Sequence, residues 1–416
     1  MEAFILPNQS IPRIVVVGAS HAGVSFADRL RQHGFNGSIT LIDRQKGGPL
    51  ERPPLSKEFL LDKSDKINPI FLLKKSKWYK NNQVTLMHGV TVTRIDTASK
   101  LLTLTNGELI GFDKLVLATG ASPRWLPKSD NISNVFVLRQ PDDAIAIRKI
   151  AHSVKSAIVV GGGYIGLEVA ATFRQMDLTV SVVEAAGRLL ARVASPPLSN
   201  VLENLHNSHG VNLYTGTGVE KITEKRGNFS GVILTDGTIL KGDMLIIGIG
   251  VTPDSDLAIK AGIETENSDG GAIIVDPSMQ TSNPNIMAIG DVALKRGNVI
   301  RIESVHNAQD SASRAAAAIM GQNSPAFETP RFWSDQYDTS MQSVGVVPTN
   351  SEDVYQISRI GKREQSNSFW SYQGKKLIAV EAINDIENFI LGTKCLDKNI
   401  SPDPTLISDP AFDPMA

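Results

Sequence analysis

One arrangement, present twice, constrains this chain more than anything else in it. "SAIVVGGGYIGLEVAATFRQMDLTVSVVE", residues 156–184, repeats the plan of "RIVVVGASHAGVSFADRLRQHGFNGSITLID", residues 13–43. Each copy starts with the β-branched run expected of a strand buried on both faces. A glycine turn follows, then apolar residues at helical spacing, then a second strand closed by an acid. That order turns a weak glycine match into a dinucleotide-binding fingerprint. Gly161, Gly163 and Gly166 fill all three fingerprint positions of the later copy, and Glu184 ends its second strand. In the earlier copy Gly18 and Gly23 fill the outer positions, Asp43 is the closing acid, and Ser20 stands where the middle glycine belongs. The first glycine permits the tight turn and the last lets helix and strand pack closely. The helix N-terminus then offers free N–H groups to a pyrophosphate. Ser20 is expected to crowd that approach. The plain alternative for the first copy is a structural βαβ unit that holds nothing.

The closing acids bear on the ligands. A carboxylate there accepts ribose hydroxyls and repels a 2′-phosphate, so the second site is expected to prefer NADH over NADPH. Arg188 and Arg192 follow Glu184 closely and lie within chain reach of an adenosine phosphate, which works against that preference. Two nicotinamides would have little to exchange, whereas a flavin accepts the hydride that a nicotinamide gives. The pair of turns therefore reads as FAD in the first domain and NADH in the second.

Composition leaves room for this and closes other routes. A chain of 416 residues suits two or three domains of roughly 150 residues each. Its formal net charge of -1 argues against a nucleic-acid or membrane partner for the chain as a whole. No apolar stretch approaches the roughly 18 residues of a membrane helix. The opening "MEAFILPNQSIPRIVVV" lacks the basic start of a signal peptide, so a soluble, cytoplasmic protein is expected. Cys395 is the only cysteine, which excludes an internal disulfide. The seven histidines are scattered without metal-binding spacing, and no metal is expected. His206 and His209 read as surface residues of a helix.

Other strand ends carry candidates. "LVLATG" places Ala118, Thr119 and Gly120 behind a strand, and "LIIGIGVTPDSD" does the same for Gly248. "IMAIGDVA" puts Gly290 and Asp291 at a strand end, where the acid suits a ribityl hydroxyl or simply makes a turn. An Ala-rich helix begins near Ser304 or Asn307; opened at Val305, its N-terminus would favour negative charge on a reduced flavin.

Taken together, "ERPPLSKEFL", "LVLATGASPR", "VVGGGYIGLEVA", "RIESVHNAQDSA" and "FWSDQYD" resemble the FAD-dependent ferredoxin reductases of bacterial oxygenase systems, over about residues 12 to 395. The resemblance implies a glutathione-reductase-like α/β fold: two Rossmann-type dinucleotide-binding domains plus a C-terminal α/β domain. The FAD domain would span 1–120 and 247–326, with the NADH domain, 121–246, inserted. The C-terminal domain, 327–416, would end in a loosely held Pro- and Asp-rich tail. It further implies that Lys57 lies beside flavin N5, that Glu168 faces the flavin from the nicotinamide side and pairs with Lys57, and that Trp333 sits near both rings. Taken alone, these three read as a surface lysine, an acid settled by a helix dipole and a packing tryptophan. By the same resemblance Ala22, Asp43, Arg52, Val92, Arg139, Asp291 and Val305 would meet FAD. Gly163, Ile165, Glu184 and Arg192 would meet NADH, with Glu303 at its carboxamide.

Flavin disulfide reductases need a cysteine pair on the helix after the first βαβ unit, and this chain has Ser56 in that neighbourhood. Electrons would therefore leave without a thiol, singly, to a [2Fe–2S] ferredoxin that feeds a cytochrome P450 or a Rieske-type oxygenase. Ferredoxins are usually acidic, so a basic docking patch is expected, with Lys74, Lys75, Lys295, Arg296 and Arg301 as candidates. A rubredoxin reductase and an apoptosis-inducing-factor-like NADH-binding flavoprotein share these motifs and stay open.

Overall fold

The computed structural model describes residues 12–62, 68–266, 271–326, 328–348 and 353–415. They form two compact units. One takes the described parts of Met1–Glu51, Lys66–Ser122 and Thr252–Ala326, the other those of Arg52–Asp65, Pro123–Val251 and Phe327–Ala416.

In the first unit the strand Ile14–Val17 is buried throughout. It is the middle of a five-stranded parallel sheet in the order Ile286–Ala288, Lys114–Leu117, Ile14–Val17, Ile39–Asp43, Val84–His88. Burial on both faces is why this strand reads as continuous "IVVV" rather than as an alternating pattern. The helix His21–Gln32 turns Val24, Ala27 and Leu30 inward at helical spacing and packs on the helix Val305–Ile319. That second helix presents Ala308, Ala312, Ala315 and Ala316 to the core. Side chains this short allow close approach of the two backbones.

The second unit contains the same device. Ser156–Val160 is the middle of a parallel sheet ordered Asn212–Thr215, Thr179–Glu184, Ser156–Val160, Met244–Ile247, Val135–Val137. In each sheet the chain builds outward on one side of the middle strand and later returns to its other side. Each middle strand therefore ends at a topological switch point, where an open α/β sheet leaves a crevice for a ligand.

The C-terminal part of this unit is antiparallel: Arg331–Gln336, Thr339–Gly345, Lys376–Ile383, Asn367–Gln373, Val354–Ile360, with the helix Ile386–Asp397 packed on it. Trp370, Tyr372, Val380 and Cys395 fill its core. Gly374, at φ 60, makes the turn between Asn367–Gln373 and Lys376–Ile383.

The tail expected to be loose is tied down. The buried Arg359 guanidinium donates to the carbonyls of Ile407, Asp409, Pro410 and Phe412 and to Asn388 Oδ1. A buried guanidinium needs acceptors for its five N–H groups, and the carbonyls of an irregular Pro-rich segment supply them. Pro and Asp content alone says nothing of a distant arginine. Among the described residues no helix is long and apolar enough to cross a membrane.

Candidate functional site

The two glycine turns are built alike, atom by atom. Gly18 and Gly161 adopt φ of 107° and 112°, a region L side chains rarely occupy. A Cβ on either would lie 2.1 Å from the Ala118 carbonyl oxygen or 2.3 Å from that of Gly248. Gly23 and Gly166 face the carbonyls of Gly18 and Gly161 just as closely, at 2.0 and 2.1 Å. These glycines close the turn, and the flanking strand ends at Ala118 and Gly248 set its depth. The acids then lock it. Asp43 accepts from the N–H groups of Ala19 (2.6 Å) and Gln45 (2.7 Å), and Glu184 from those of Gly162 (2.6 Å) and Ala186 (2.8 Å).

The middle position is where the copies differ. Ser20 and Gly163 are both helix N-caps with extended backbone, and neither helix end has a side-chain capping hydrogen bond. A Cβ on Gly163 would meet nothing within 4 Å. The turn therefore accepts a side chain here without strain, and the protein itself leaves the space beside it open. Both turns fit a pyrophosphate: an uncapped helix N-terminus, an open cradle, and an acid at the strand end.

The remaining residues of the first unit lie around its turn or its strand ends. Gly290, at φ 71, would press a Cβ to 2.9 Å from that of Ala22. Its N–H is held by Ser311 Oγ at 3.0 Å. Thr119 Oγ1 donates to the Asp254 carbonyl (2.7 Å), and the Gly120 carbonyl accepts from the Asp254 N–H (2.9 Å). Arg301 donates to the Asp291 carbonyl and, at 2.7 Å, to Glu303 Oε1. Ser304 is the N-cap of the helix that Val305 opens, its oxygen accepting from the Asn307 N–H. Val92 is buried at the start of the strand Val92–Asp96.

In the second unit Arg52 donates to the Arg139 carbonyl, and the Arg139 and Gln140 N–H groups end on Asp143 Oδ2. Ile165 and Arg192 are exposed beside the turn. Arg188 is not poised for a phosphate, since it donates to Ser199 Oγ (2.6 Å) and the Ala191 carbonyl (3.1 Å). Trp333 is 39% exposed and has no ring partner among the described residues, whereas its neighbour Phe332 lies 4.3 Å from the Tyr164 ring.

Lys57 and Glu168 meet. Lys57 Nζ is 3.0 Å from Glu168 Oε2, and the Glu168 side chain is 3% exposed. Ser56 Oγ donates to the same oxygen, while Ser334 Oγ donates to Oε1 at 2.6 Å. Thr172 Oγ1 holds the Ser56 carbonyl at 2.7 Å. The carboxylate is thus a buried anion with one cation and two hydroxyl donors, the arrangement a buried charge requires. Burial raises the pKa of the nearby Tyr164 hydroxyl, and the charges of Glu381 and Glu168 raise it further.

Ser334, Gln336 and Glu381 went unnoticed in the sequence. His206, read as a surface residue, is fully buried and bonded to Gln336. The burial pattern of Ser334 and Gln336, two apart on one strand, is the alternation that "FWSDQ" itself suggests. The basic candidates for docking are mostly engaged with acids: Lys74 with Asp28, Lys295 with Asp310, Arg296 with Glu264 and Arg301 with Glu303. Cys395 is buried, and burial pushes its thiol up to about 11.

Comparison with known proteins agrees with this architecture. The pyridine nucleotide-disulphide oxidoreductase model matches residues 12–312 and the reductase C-terminal model 331–415. Rhodocoxin reductase of Rhodococcus erythropolis is 35% identical over 405 residues, covering 96% of this chain and 93% of its own. Rubredoxin-NAD(+) reductase of Pseudomonas putida is 36% identical over 376 residues, 89% of this chain and 95% of its own. Among solved structures, the ferredoxin reductase for the CYP199A2 system from Rhodopseudomonas palustris matches with a TM-score of 0.91 at 35% identity, over 97% of this chain and 98% of that one. The putidaredoxin reductase–putidaredoxin complex gives 0.90 at 34%, with 97% of both chains covered. Two nucleotide folds, a Lys–Glu pair with its carboxylate buried and no thiol, and an antiparallel C-terminal sheet thus stand in a chain that belongs to the ferredoxin reductase family of pyridine nucleotide-disulphide oxidoreductases.

Proposed function

We propose that this chain is an NADH-dependent flavoprotein reductase with FAD at the Gly18 turn and NADH at the Gly161 turn. Electrons would leave singly to a [2Fe–2S] ferredoxin serving a cytochrome P450 or Rieske-type oxygenase. The observation that carries this reading is the doubled turn, each copy closed by its own carboxylate on a backbone N–H. Bound FAD would supply hydride acceptance from the nicotinamide and release of single electrons. The domain plan that goes with it is an FAD domain in 1–120 and 247–326, an NADH domain in 121–246 and a C-terminal domain in 327–416.

The chain's own residues bind and orient. The uncapped helix ends at Ser20 and Gly163 would hold the two pyrophosphates, and Asp43 and Glu184 would accept from the adenosine ribose hydroxyls. Asp291 would take the ribityl chain. By the family resemblance Lys57, held by Glu168, would place a positive charge beside bound FAD, and Trp333 would lie near its rings. Ser56 offers no sulfur, so no thiol there would take up electrons from bound FAD. The curated relatives include both ferredoxin reductases and rubredoxin reductases at similar identity, which makes the acceptor the finer half of the proposal.

Purified protein supplied with FAD is expected to be yellow, to bleach on addition of NADH, and to reduce purified [2Fe–2S] ferredoxins faster than rubredoxins. Colourless protein that takes up no flavin overturns the reading; faster rubredoxin reduction overturns its acceptor. Glu168→Gln, which leaves Lys57 without its counter-charge, is expected to slow bleaching by about tenfold to a hundredfold, the worth of one charged hydrogen bond. An unchanged rate removes the pair from the chemistry.

Coenzyme choice gives a separate expectation. With Arg188 turned inward, selectivity rests on the Glu184 carboxylate set against the exposed Arg192. Glu184→Ala is expected to weaken NADH about tenfold or more and NADPH far less, narrowing the gap between them in titration calorimetry. Equal weakening of both would mean that Glu184 only shapes the turn.

A further inference from the structure

Behind Glu168 stands a line of polar groups that the proposed function leaves unused. Ser334 Oγ donates to Glu168 Oε1 at 2.6 Å, and Gln336 Nε2 donates to Ser334 Oγ at 3.2 Å. Gln336 Oε1 lies 2.7 Å from His206 Nε2. Glu168, Ser334, Gln336 and His206 are all buried to within 3%. Water cannot substitute for any of these bonds.

Their direction is determined. Ser334 has one proton, and the carboxylate takes it, so the serine oxygen must accept from Gln336. That commits the Gln336 amide nitrogen to Ser334 and its oxygen to His206, which must then carry its proton on Nε2. His206 Nδ1 is buried without a partner, as a bare ring nitrogen would be. Burial lowers the His206 pKa to about 4, against the pull of the Gln336 bond, so the ring is neutral near pH 7. Tyr337 meets the ring edge-on at 5.5 Å and is itself stacked on His209 at 3.7 Å, which holds His206 in place. Every donor in the line points toward Glu168. Charged and titratable groups around its far end are Lys57 and Tyr164.

We propose that Ser334, Gln336 and His206 are positioning residues for the Lys57–Glu168 pair. The line commits Glu168 Oε1 to Ser334, so that Oε2 stays with Ser56 and Lys57 and the ammonium group is held at one point. Strand alternation puts Ser334 and Gln336 on one face of Arg331–Gln336, and the half-exposed Trp333 belongs to the other. One strand thus carries the support for the pair on its inner side. The consequence for the flavin rests on the proposed function; the line itself does not.

The test uses the full chain with Ser334→Ala, Ser334→Thr and Gln336→Met, each checked for melting temperature and flavin content. Loss of the Ser334 or Gln336 bond is expected to lower the NADH-driven kcat about tenfold while KM stays within about twofold, as for an interaction that serves the reaction and not binding. Glu168, short of a donor, then bears more negatively on its surroundings, and the midpoint potential of the bound flavin falls. Ser334→Thr, which keeps the hydroxyl, restores both. In the flavin-free wild type, nitrogen-15 NMR is expected to show His206 neutral with its proton on Nε2 down to about pH 5.

Ser334→Ala with wild-type rate and potential overturns the proposal, and so does a proton on Nδ1. If Ser334→Ala fails to fold, Gln336→Met and the tautomer decide. A wild type that takes up no flavin sinks the proposed function alone, since the tautomer is read without the cofactor.

Discussion

Gly161→Ala and Gly18→Ala are each expected to unfold the domain that holds them at a markedly lower temperature, whereas Gly163→Ala leaves melting unchanged. The three positions share one motif but not one environment. At Gly161 the new methyl carbon would stand 2.3 Å from the Gly248 oxygen, and at Gly18 2.1 Å from that of Ala118. Both oxygens are backbone atoms at the ends of parallel neighbours, so relief requires moving a strand. Gly248 is itself pinned by its N–H to the Val160 carbonyl at 2.7 Å, and Ala118 to that of Val17 at 2.8 Å. The positive φ adds about 1–2 kcal/mol of strain to the clash, and the two together reach about 3 kcal/mol or more. For a domain of this size that is roughly 6–12 °C in melting temperature.

At Gly163 the backbone is extended and the methyl would enter open space. The first turn already carries the equivalent change: Ser20 occupies the same backbone conformation without harm to its fold. Gly163→Ala is therefore expected to weaken NADH alone, by calorimetry, at wild-type melting temperature. Wild-type melting of Gly161→Ala would mean that the turn is not the close-packed joint described.

Why the turns were legible and the support for Glu168 was not has a physical answer. Gly18, Gly161, Asp43 and Glu184 do work that few residue types can do, at positions fixed by a local βαβ unit. A single chain segment therefore displays them. The resemblance then added Lys57 and Glu168, whose ion pair the structure contains. Ser334 and His206 reach their partners across 166 and 130 residues of sequence. No periodicity records which buried serine faces which acid, and a histidine two residues before the end of a helix looks solvent-facing until another sheet covers it. Arg359 is the same case: its acceptors are carbonyls of the tail, which carry no side-chain signature. The basic candidates show the converse: four of the five fold against acids that the sequence pattern did not reveal. Composition displays cations readily and hides the acids that fold against them.

Glu381 and His206, one missed in the sequence and one misread as a surface residue, set opposite pH dependences, and removing one should expose the other. Glu381 is buried, with Oε1 accepting from the Ser195 N–H at 3.0 Å and Oε2 without a partner. Burial raises its pKa from 4.5 to about 7, outweighing the Ser195 bond and the Arg188 charge that favour ionisation. Burial lowers that of His206 from 6.5 to about 4. For Glu381 the folded state binds the proton more tightly than the unfolded chain. Stability from that proton is complete below about pH 4.5 and is lost as pH rises to about 7. For His206 the folded state holds its proton more weakly. That stability is complete above about pH 6.5 and is lost as pH falls to about 4. Each spans roughly 3 kcal/mol, because a tenfold change in proton affinity is worth about 1.4 kcal/mol.

Between about pH 4.5 and 6.5 the native protein holds one extra proton at Glu381 and lacks one at His206, so the two slopes nearly cancel. Glu381→Gln, close in shape to the protonated acid, keeps the wild-type stability at the acid end and gains up to roughly 3 kcal/mol above about pH 7. The difference between wild type and variant, read from thermal midpoints across this range, isolates the one group from every other titration in the chain. His206→Met, at a lower baseline, is expected to show the uncovered Glu381 slope, gaining stability steadily as pH falls. A Glu381→Gln curve parallel to wild type at every pH would mean that the carboxylate is solvated or paired in solution. Its junction with Ser195 would then be no strained contact at all.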